Sequence, residues 1–358
     1  MIAIIEAGSS NTLPDSQNVS RGNTFLSSEL YVGIDWLQFC AVVEVERFKP
    51  LLDAAIHPFS DEYSLEAGVP VTRGKKYANS GRSVRGAAIA WTELNDGSRE
   101  VFVSLPASVL AEASLQEIWE ISALLKFSYG VKFTRVDLRI DDYSKQLNPD
   151  LMLKAFQDGN YANFRTLDKI QRWKSGVEQG FTLYFGHPKS EKRARFYDKS
   201  AESKGVMDCY RLETQLRRGS AEATMQLFLE IQDFAAESPA LLGRLVCGAI
   251  DFPDRVHAGE REKNLDRCEK LTWWQAFLDR VGERLRVASA RPEPCLEKTF
   301  NWIEKQVQIS IGVVADVLGE EFFETWLHGH LVNAKKRYRD FHRNLIEIGR
   351  KDFGTATT

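Results

Sequence analysis

The chain has 358 residues, 43% of them hydrophobic and 11% aromatic, and carries a net charge of −3. That length exceeds one average domain and that composition can bury a core, while the mild negative balance excludes a protein coated throughout with cations for nucleic acid. No apolar run approaches the roughly 18 residues of a membrane span.

Residues 1–30 open on a brief apolar run with no basic residue before it and then turn polar, which lacks the form of a secretory signal and reads as a flexible tail. Cys40, Cys209, Cys247, Cys268 and Cys295 are scattered without a CxxC pair, as expected for reduced thiols in a cytoplasm. Residues 31–45 (YVGIDWLQFCAVVEV) are rich in aromatic and β-branched side chains and predict a strand. Residues 60–86 carry Arg73, Lys75, Lys76, Arg82 and Arg85 among glycines and read as loop. The GVPVTRGKK run within them spaces its glycines one residue too far apart for a phosphate-binding loop and has Lys76 where Ser or Thr should meet magnesium. No other stretch offers a nucleoside-triphosphate motif.

Residues 87–94 and 99–104 predict two strands around Asn95, Asp96 and Gly97. Residues 114–127 predict a helix: Ser114 and Glu117 form a capping box, Leu115, Ile118, Ile121, Leu124 and Leu125 keep one face apolar, and Tyr129-Gly130 ends it. In residues 131–143 (VKFTRVDLRIDDY) strand alternation sets Arg135, Asp137, Arg139 and Asp141 on one face and Val136, Leu138 and Ile140 on the other. Carboxylates in a row on a strand require cations against them; alternatively Arg135 and Arg139 pair with Asp137 and Asp141 on an exposed face. Asn148 and Pro149 open a second helix that stops at Gly159.

Residues 181–185 (FTLYF) and 193–199 (RARFYDK) predict a hairpin across Gly186, His187, Pro188, Lys189 and Ser190. Alternation places Arg193, Arg195, Tyr197 and Lys199 on one side, with Ala194 and Phe196 opposite. Such cations would hold phosphate oxygens, and they favour ionisation of a phenol whose ordinary pKa is about 10. A packed tyrosine beside a solvated basic face is the plainer alternative. The strand predicted at 209–218 (CYRLETQLRR) aligns Arg211, Glu213, Gln215 and Arg217. From His187 to Arg218 nine Lys or Arg stand against five Asp or Glu, a local basic stripe that fits a site touching phosphates.

Residues 220–248 turn helical, residues 257–270 form a charged boundary, and 271–287, 299–318 and 320–348 are amphipathic helices. Trp273-Trp274 reads as a core anchor before a base-stacking pair. His328 and His330 lie two apart in a helical context and diverge by about 200°, which argues against a shared metal. Lys335, Lys336, Arg337, Arg339 and Arg343 read as a solvated helical face ahead of a DNA contact.

The segments IDWLQF (34–39), RVDLRIDDY (135–143), GFTLYFGHPKSEKRARFYDKSAE (180–202), YRLETQLRR (210–218) and WWQAFL (273–278) stand in the order seen in the replication initiation factor family. The chain resembles these rolling-circle initiators of filamentous phages and small plasmids, relatives of the HUH endonucleases, over most of residues 31–345. The resemblance implies an α+β protein: an antiparallel-sheet nicking domain flanked by helices (31–257), a charged linker (258–270) and an all-helical C-terminal domain (271–358). It implies that Tyr197 attacks a phosphodiester, leaving a 5′-phosphotyrosyl link and a free 3′-hydroxyl, with Arg195 and Lys199 beside it and Lys189, Lys192, Arg193, Arg211 and Arg217 on the DNA. Asp137, Asp141 and Glu213 match acidic positions that in this family replace the usual histidine pair around a divalent ion, Mg²⁺ or Mn²⁺. The partners implied are origin DNA, single-stranded or cruciform at the nick, and a host helicase and polymerase in a bacterial cytoplasm, with room for a homodimer and no membrane. A relaxase of a mobile element and a non-enzymatic DNA-binding regulator are the rival readings.

Overall fold

Every second side chain from Val136 to Ile140 is apolar, and the same period runs through Ala194 and Phe196 and through Leu212 and Leu216. Segments of that pattern bury one face only by joining a sheet. The computed structural model describes residues 24–27, 29–203, 205–255, 265, 268–282, 284–285, 300, 303–338, 343, 346–347 and 350. Its strands are β1 (Thr24–Ser27), β2 (Leu30–Val43), β3 (Tyr63–Glu66), β4 (Val71–Arg73), β5 (Lys75–Tyr77), β6 (Asn79–Ser83), β7 (Ala88–Glu93), β8 (Arg99–Leu105), β9 (Lys132–Asp142), β10 (Leu167–Lys174), β11 (Val177–Phe185), β12 (Lys192–Asp198) and β13 (Tyr210–Arg217).

Eleven of them form one antiparallel sheet in the order β10-β11-β12-β13-β9-β2-β8-β7-β6-β3, with β1 on β2, while β4 and β5 make a separate hairpin. The order repeats outward from the centre. Outward from β2 the strands run β8, β7, β6, β3, and outward from β9 they run β13, β12, β11, β10, so each half is laid down backwards from its last strand. Each half also inserts a helix after its central strand, α1 (Val45–Ile56) in one and α4 (Pro149–Gln157) in the other. The sheet is therefore one topology used twice, joined at β2 and β9.

One face of the sheet is covered by α3 (Leu115–Tyr129), α6 (Gly219–Leu229) and α7 (Phe234–Cys247). Ser114 and Glu117 close both arms of the expected capping box, and Gly130 ends α3 in the left-handed conformation at φ 62°. Val136, Leu138, Ile140, Phe196, Leu212 and Leu216 meet Met225, Phe228, Leu242 and Leu245 there, each fully buried side chain contributing about 1.5–3 kcal/mol.

The structure departs from the sequence expectation in three places. Residues 60–86 contain β3 to β6, short polar strands with little periodicity of their own: β6 adds to β7, as in Asn79 opposite Trp91, β3 adds to β6, and β4 and β5 pair with each other. β10 was likewise not anticipated, and Thr24–Ser27 is strand where tail was expected; the rest of that tail lies outside the described residues. The third departure concerns α8 (Thr272–Val281), expected in the C-terminal helical domain. Its Trp274, Phe277, Leu278 and Val281 are buried in the sheet's own core, and the chain divides instead into Met1–Ala290 and Arg291–Thr358. The physical cause is Trp274, whose Nε1 donates to the buried Asp251 at 3.1 Å while its ring packs edge-on to Phe252.

The second unit, taken by itself, holds a π-helical turn at Ile303–Val307, α9 (Gln308–Leu318) and α10 (Glu320–Lys335). His328 and His330 both sit on α10, where their two-residue spacing separates them. Arg339 of the basic segment, most of the charged stretch 257–270 and Cys295 lie outside the described residues. No helix among the described residues is long and apolar enough to cross a membrane.

Replacing Trp274 by alanine should destabilise the first unit by about 3–5 kcal/mol, read by urea unfolding; a loss below about 1 kcal/mol would place α8 outside that core.

Candidate active site

The face of the sheet away from α6 and α7 is built from rows of cross-strand neighbours, whose side chains point the same way. One row runs Tyr184, Arg195, Glu213, Arg139. A second runs Thr182, Tyr197, Arg211, Asp141, and a third Arg193, Gln215, Asp137, Trp36. β2 shifts register between Ile34 and Trp36, leaving Asp35 as an extra residue in a bulge, a device that re-aims a side chain. Its carboxylate accepts from Arg139 and, at 2.7 Å, from Arg211.

Asp141 is 0% exposed and Arg211 4% exposed. Arg211 donates to both oxygens of Asp141, at 2.5 and 3.0 Å, and the Arg139 guanidinium lies 3.4 Å from the same carboxylate. Burial works against the charge on Arg211, but Asp141 and the other acidic groups beside it together outweigh it and hold the guanidinium above its usual range. The two residues expected as a DNA contact and a metal ligand, Arg211 and Asp141, are thus locked to each other below the surface. Their positions in the middle strands leave neither accessible.

Above this layer lies a cavity of about 510 Å³, walled by Asp35, Asp137, Glu202 and Glu213 and by Arg135, Arg193, Arg195 and Arg217. Arg135 grips Asp137 with two hydrogen bonds, at 2.8 and 2.5 Å, and Gln215 adds a third at 3.3 Å. Arg195 donates to Glu213 at 2.6 Å. Burial raises the Glu213 carboxyl above the usual range, Arg195 opposes that, and Asp137 adds to it. Hard oxygen donors suit Mg²⁺ or Mn²⁺ in type, yet Asp35, Asp137 and Glu213 each already face a guanidinium and Glu202 the Lys199 ammonium. Among the described residues no three His, Cys, Asp or Glu side chains gather as a metal site. The expected set of Asp137, Asp141 and Glu213 does not fit the ion in this arrangement.

What the cavity does fit is an anion. Arg217 is lowered from its ordinary range by burial and by Arg135, with Arg193 and Arg218 adding to the repulsion. The Nε atoms of Arg193 and Arg195 are buried without a hydrogen-bond partner among the described residues. Crowded guanidinium groups with unused donors are what a phosphate relieves.

Tyr197 lines an adjoining cavity of about 210 Å³ that shares Tyr184, Arg195 and Glu202 with the larger one. The residue is 4% exposed, with the Arg195 guanidinium 4.9 Å and the Lys199 ammonium 5.9 Å from its ring centre. Burial pushes its phenol above the usual range, Glu213 reinforces the shift, and Arg211 and Arg195 oppose it. At rest the group is a neutral phenol. Lys199 is not on the strand: β12 ends at Asp198, which caps the short helix α5 (Lys199–Glu202), and Lys199 pairs with Glu202 at 2.7 Å. Lys192 pairs in register with Leu216, on the opposite face from Arg193, and Lys189 is exposed in the turn without lining either cavity. Of the expected residues, then, Arg193, Arg195, Tyr197, Glu213, Asp137 and Arg217 come together. Asp35 and Glu202 join them unforeseen, and Tyr184, one of two tyrosines the sequence leaves open as a second participant, joins them as well; Asp35 left a signal, as the one acid in β2.

Removing one partner of a buried ion pair costs about 3–5 kcal/mol, so Arg211→Ala should unfold at much lower urea than wild type, whereas the cavity-lining Arg193→Ala should not. Burial also raises Tyr63, Tyr77, Tyr143 and Tyr197. The folded chain keeps these protons after the unfolded chain, with tyrosines at about 10, has released them. Stability should therefore hold up to about pH 10 and fall above it, which urea titrations on either side of that value would check.

The sequence profile described as replication initiation factor matches residues 131–331. A protein of Bacillus subtilis (strain 168) that bears the name DNA relaxase NicK is 24% identical over 230 residues, 61% of this chain and 62% of that one. The alignment thus spans less than two thirds of that relative's length. Among solved structures, a rolling circle replication initiator protein from Geobacillus stearothermophilus matches with a TM-score of 0.52 and 23% identity, over 73% of this chain and all of that one, and shares the fold. With the profile covering over half of the sequence, including β9 to β13 and most of the residues that wall the two cavities, the chain belongs to the replication initiation factor family.

Proposed function

We propose that this protein nicks and rejoins one strand of origin DNA, with Tyr197 as nucleophile and the arginines of the larger cavity as the phosphate clamp. One observation supports this reading above others: a tyrosine and an arginine cluster with unused buried donors share walls, through Arg195, Tyr184 and Glu202. The phenolic oxygen attacks the phosphorus, the bond from phosphorus to the 3′-oxygen breaks, and the 3′-oxygen leaves as a hydroxyl after taking up a proton from water. The phenol's proton passes to Glu202, which lines the same cavity. There burial works to raise the Glu202 carboxyl, but the Lys199 hydrogen bond and charge win and keep it ionised.

Arg195, Arg193 and Arg135 meet the negative charge that builds on the phosphate oxygens, the largest single contribution such a site can make. The phosphotyrosyl ester conserves the energy of the broken bond, so rejoining needs no nucleotide. The divalent ion implied by the family resemblance has no ready donor set among the described residues, and the arginines meet the phosphate charge in its place. The freed 3′-hydroxyl is what a host polymerase would extend behind a host helicase.

A relaxase runs the same chemistry on transferred DNA, and the name of the Bacillus relative favours keeping that reading open. The replicon supplying the cleaved sequence separates the two.

The test is a denaturing gel of the protein with 3′-labelled single-stranded origin DNA and Mn²⁺. Wild type should give a slow-migrating adduct, and Tyr197→Phe none, with its binding nearly unchanged; an adduct from Tyr197→Phe would refute the nucleophile. Arg193→Ala should weaken binding and lower the slope of log affinity against log salt by about 0.7, the value for one phosphate contact on a single strand. An unchanged slope would remove Arg193 from the clamp.

A further inference from the structure

β10 is the outermost strand of the sheet, where unpaired backbone invites aggregation and apolar side chains are ordinarily avoided. Here Ile170 is 56%, Trp173 59% and Val177 60% exposed, beside Arg172 and Lys174. Such a cluster at a basic edge implies a ligand that covers it. Trp173, Arg172 and Lys174 wall a cavity of about 730 Å³ whose Arg172, Gln179, Ala201 and Glu202 also wall the cavity of Tyr197. The two cavities therefore adjoin along the hairpin.

Two features of the chain shape this junction. β10 and β11 lose register between Arg172 and Trp173, where Gln179 is the additional residue, and such a bulge twists the hairpin's end. Next to it Gly180 has φ 142°, and a Cβ there would lie 2.6 Å from that of Ala201. Only glycine lets α5 close this approach and form the floor common to both cavities.

We infer that the β10–β11 hairpin guides a single DNA strand to Tyr197, with Trp173 stacking on a base and Arg172 and Lys174 holding the phosphates that flank it. An exposed indole among cations is the combination by which single strands are held without regard to sequence, and a duplex would hide the bases it needs. The inference rests on Tyr197 as the cleaving residue for the strand's destination, though not for its binding.

Fluorescence anisotropy of labelled oligothymidylate with the full chain tests it. Trp173→Ala should weaken binding about 5- to 150-fold, from the usual range for one stacked base. Trp173→Phe should recover most of that loss and Trp173→Leu should not. Because the side chain is exposed, the unfolding midpoint of all three should match wild type. Wild-type affinity for Trp173→Ala and Trp173→Leu would overturn the guide, as would a change in sedimentation without a change in affinity, which would mark the edge as a contact between protein copies. Should Trp173→Ala lose binding while Tyr197→Phe still forms the adduct, the guide stands and the nucleophile falls; the reverse pattern removes the guide alone.

Discussion

Arg139, Arg211, Asp35 and Asp141 neutralise one another beneath the polar face of the sheet, with only Asp35 reaching the wall of the cavity above. Taking four charges into a low-dielectric layer costs several kcal/mol for each ion unless geometry and hydrogen bonding return it. Here the guanidinium of Arg211 reaches carboxylates on two other strands, β2 and β9, from its own place on β13. A slip of one residue in β13 would turn that arginine into the apolar core and leave two acids to the single guanidinium of Arg139. The cluster therefore fixes the register of the three central strands, and with it the position of every side chain in the layer above.

That upper layer obeys a different balance. Asp137 and Glu213 carry like charges facing one cavity, each answered by an arginine, while Arg135, Arg193 and Arg217 repel one another. A diester phosphate entering there would compete with Glu213 for Arg195 and with Asp137 for Arg135, while giving the crowded cations an acceptor. The tyrosine stays neutral beforehand because burial outweighs the arginines around it.

The doubled topology explains why only one half carries this chemistry. In the first half the same face continues through Cys40, Phe102 and Ala90, and the hairpin of β4 and β5 closes over them with Tyr77 and Val71. Apolar residues in those rows attracted a cover. In the second half charged residues occupy the corresponding strands, and the face stayed open to form cavities.

Much of this was legible in the residues. Alternation in 132–142, 192–198 and 210–217 placed Arg135, Asp137, Arg193, Arg195, Tyr197 and Glu213 on one face, because the strand's period of two is local and survives any tertiary arrangement. The capping box at Ser114 and the proline-led helix after Asn148 were equally readable, since their hydrogen bonds close within a few residues. What the sequence could not decide was depth. Asp141 and Arg211 follow the same alternation as Asp137 and Glu213, yet one pair is sealed and the other faces a cavity, and only the neighbours supplied by β2 and β12 make that difference. The bulge at Asp35, the short strands of 60–86, the attachment of α8 through Trp274 and the doubling of the sheet likewise depend on partners far away in the chain, which periodicity along one segment cannot register.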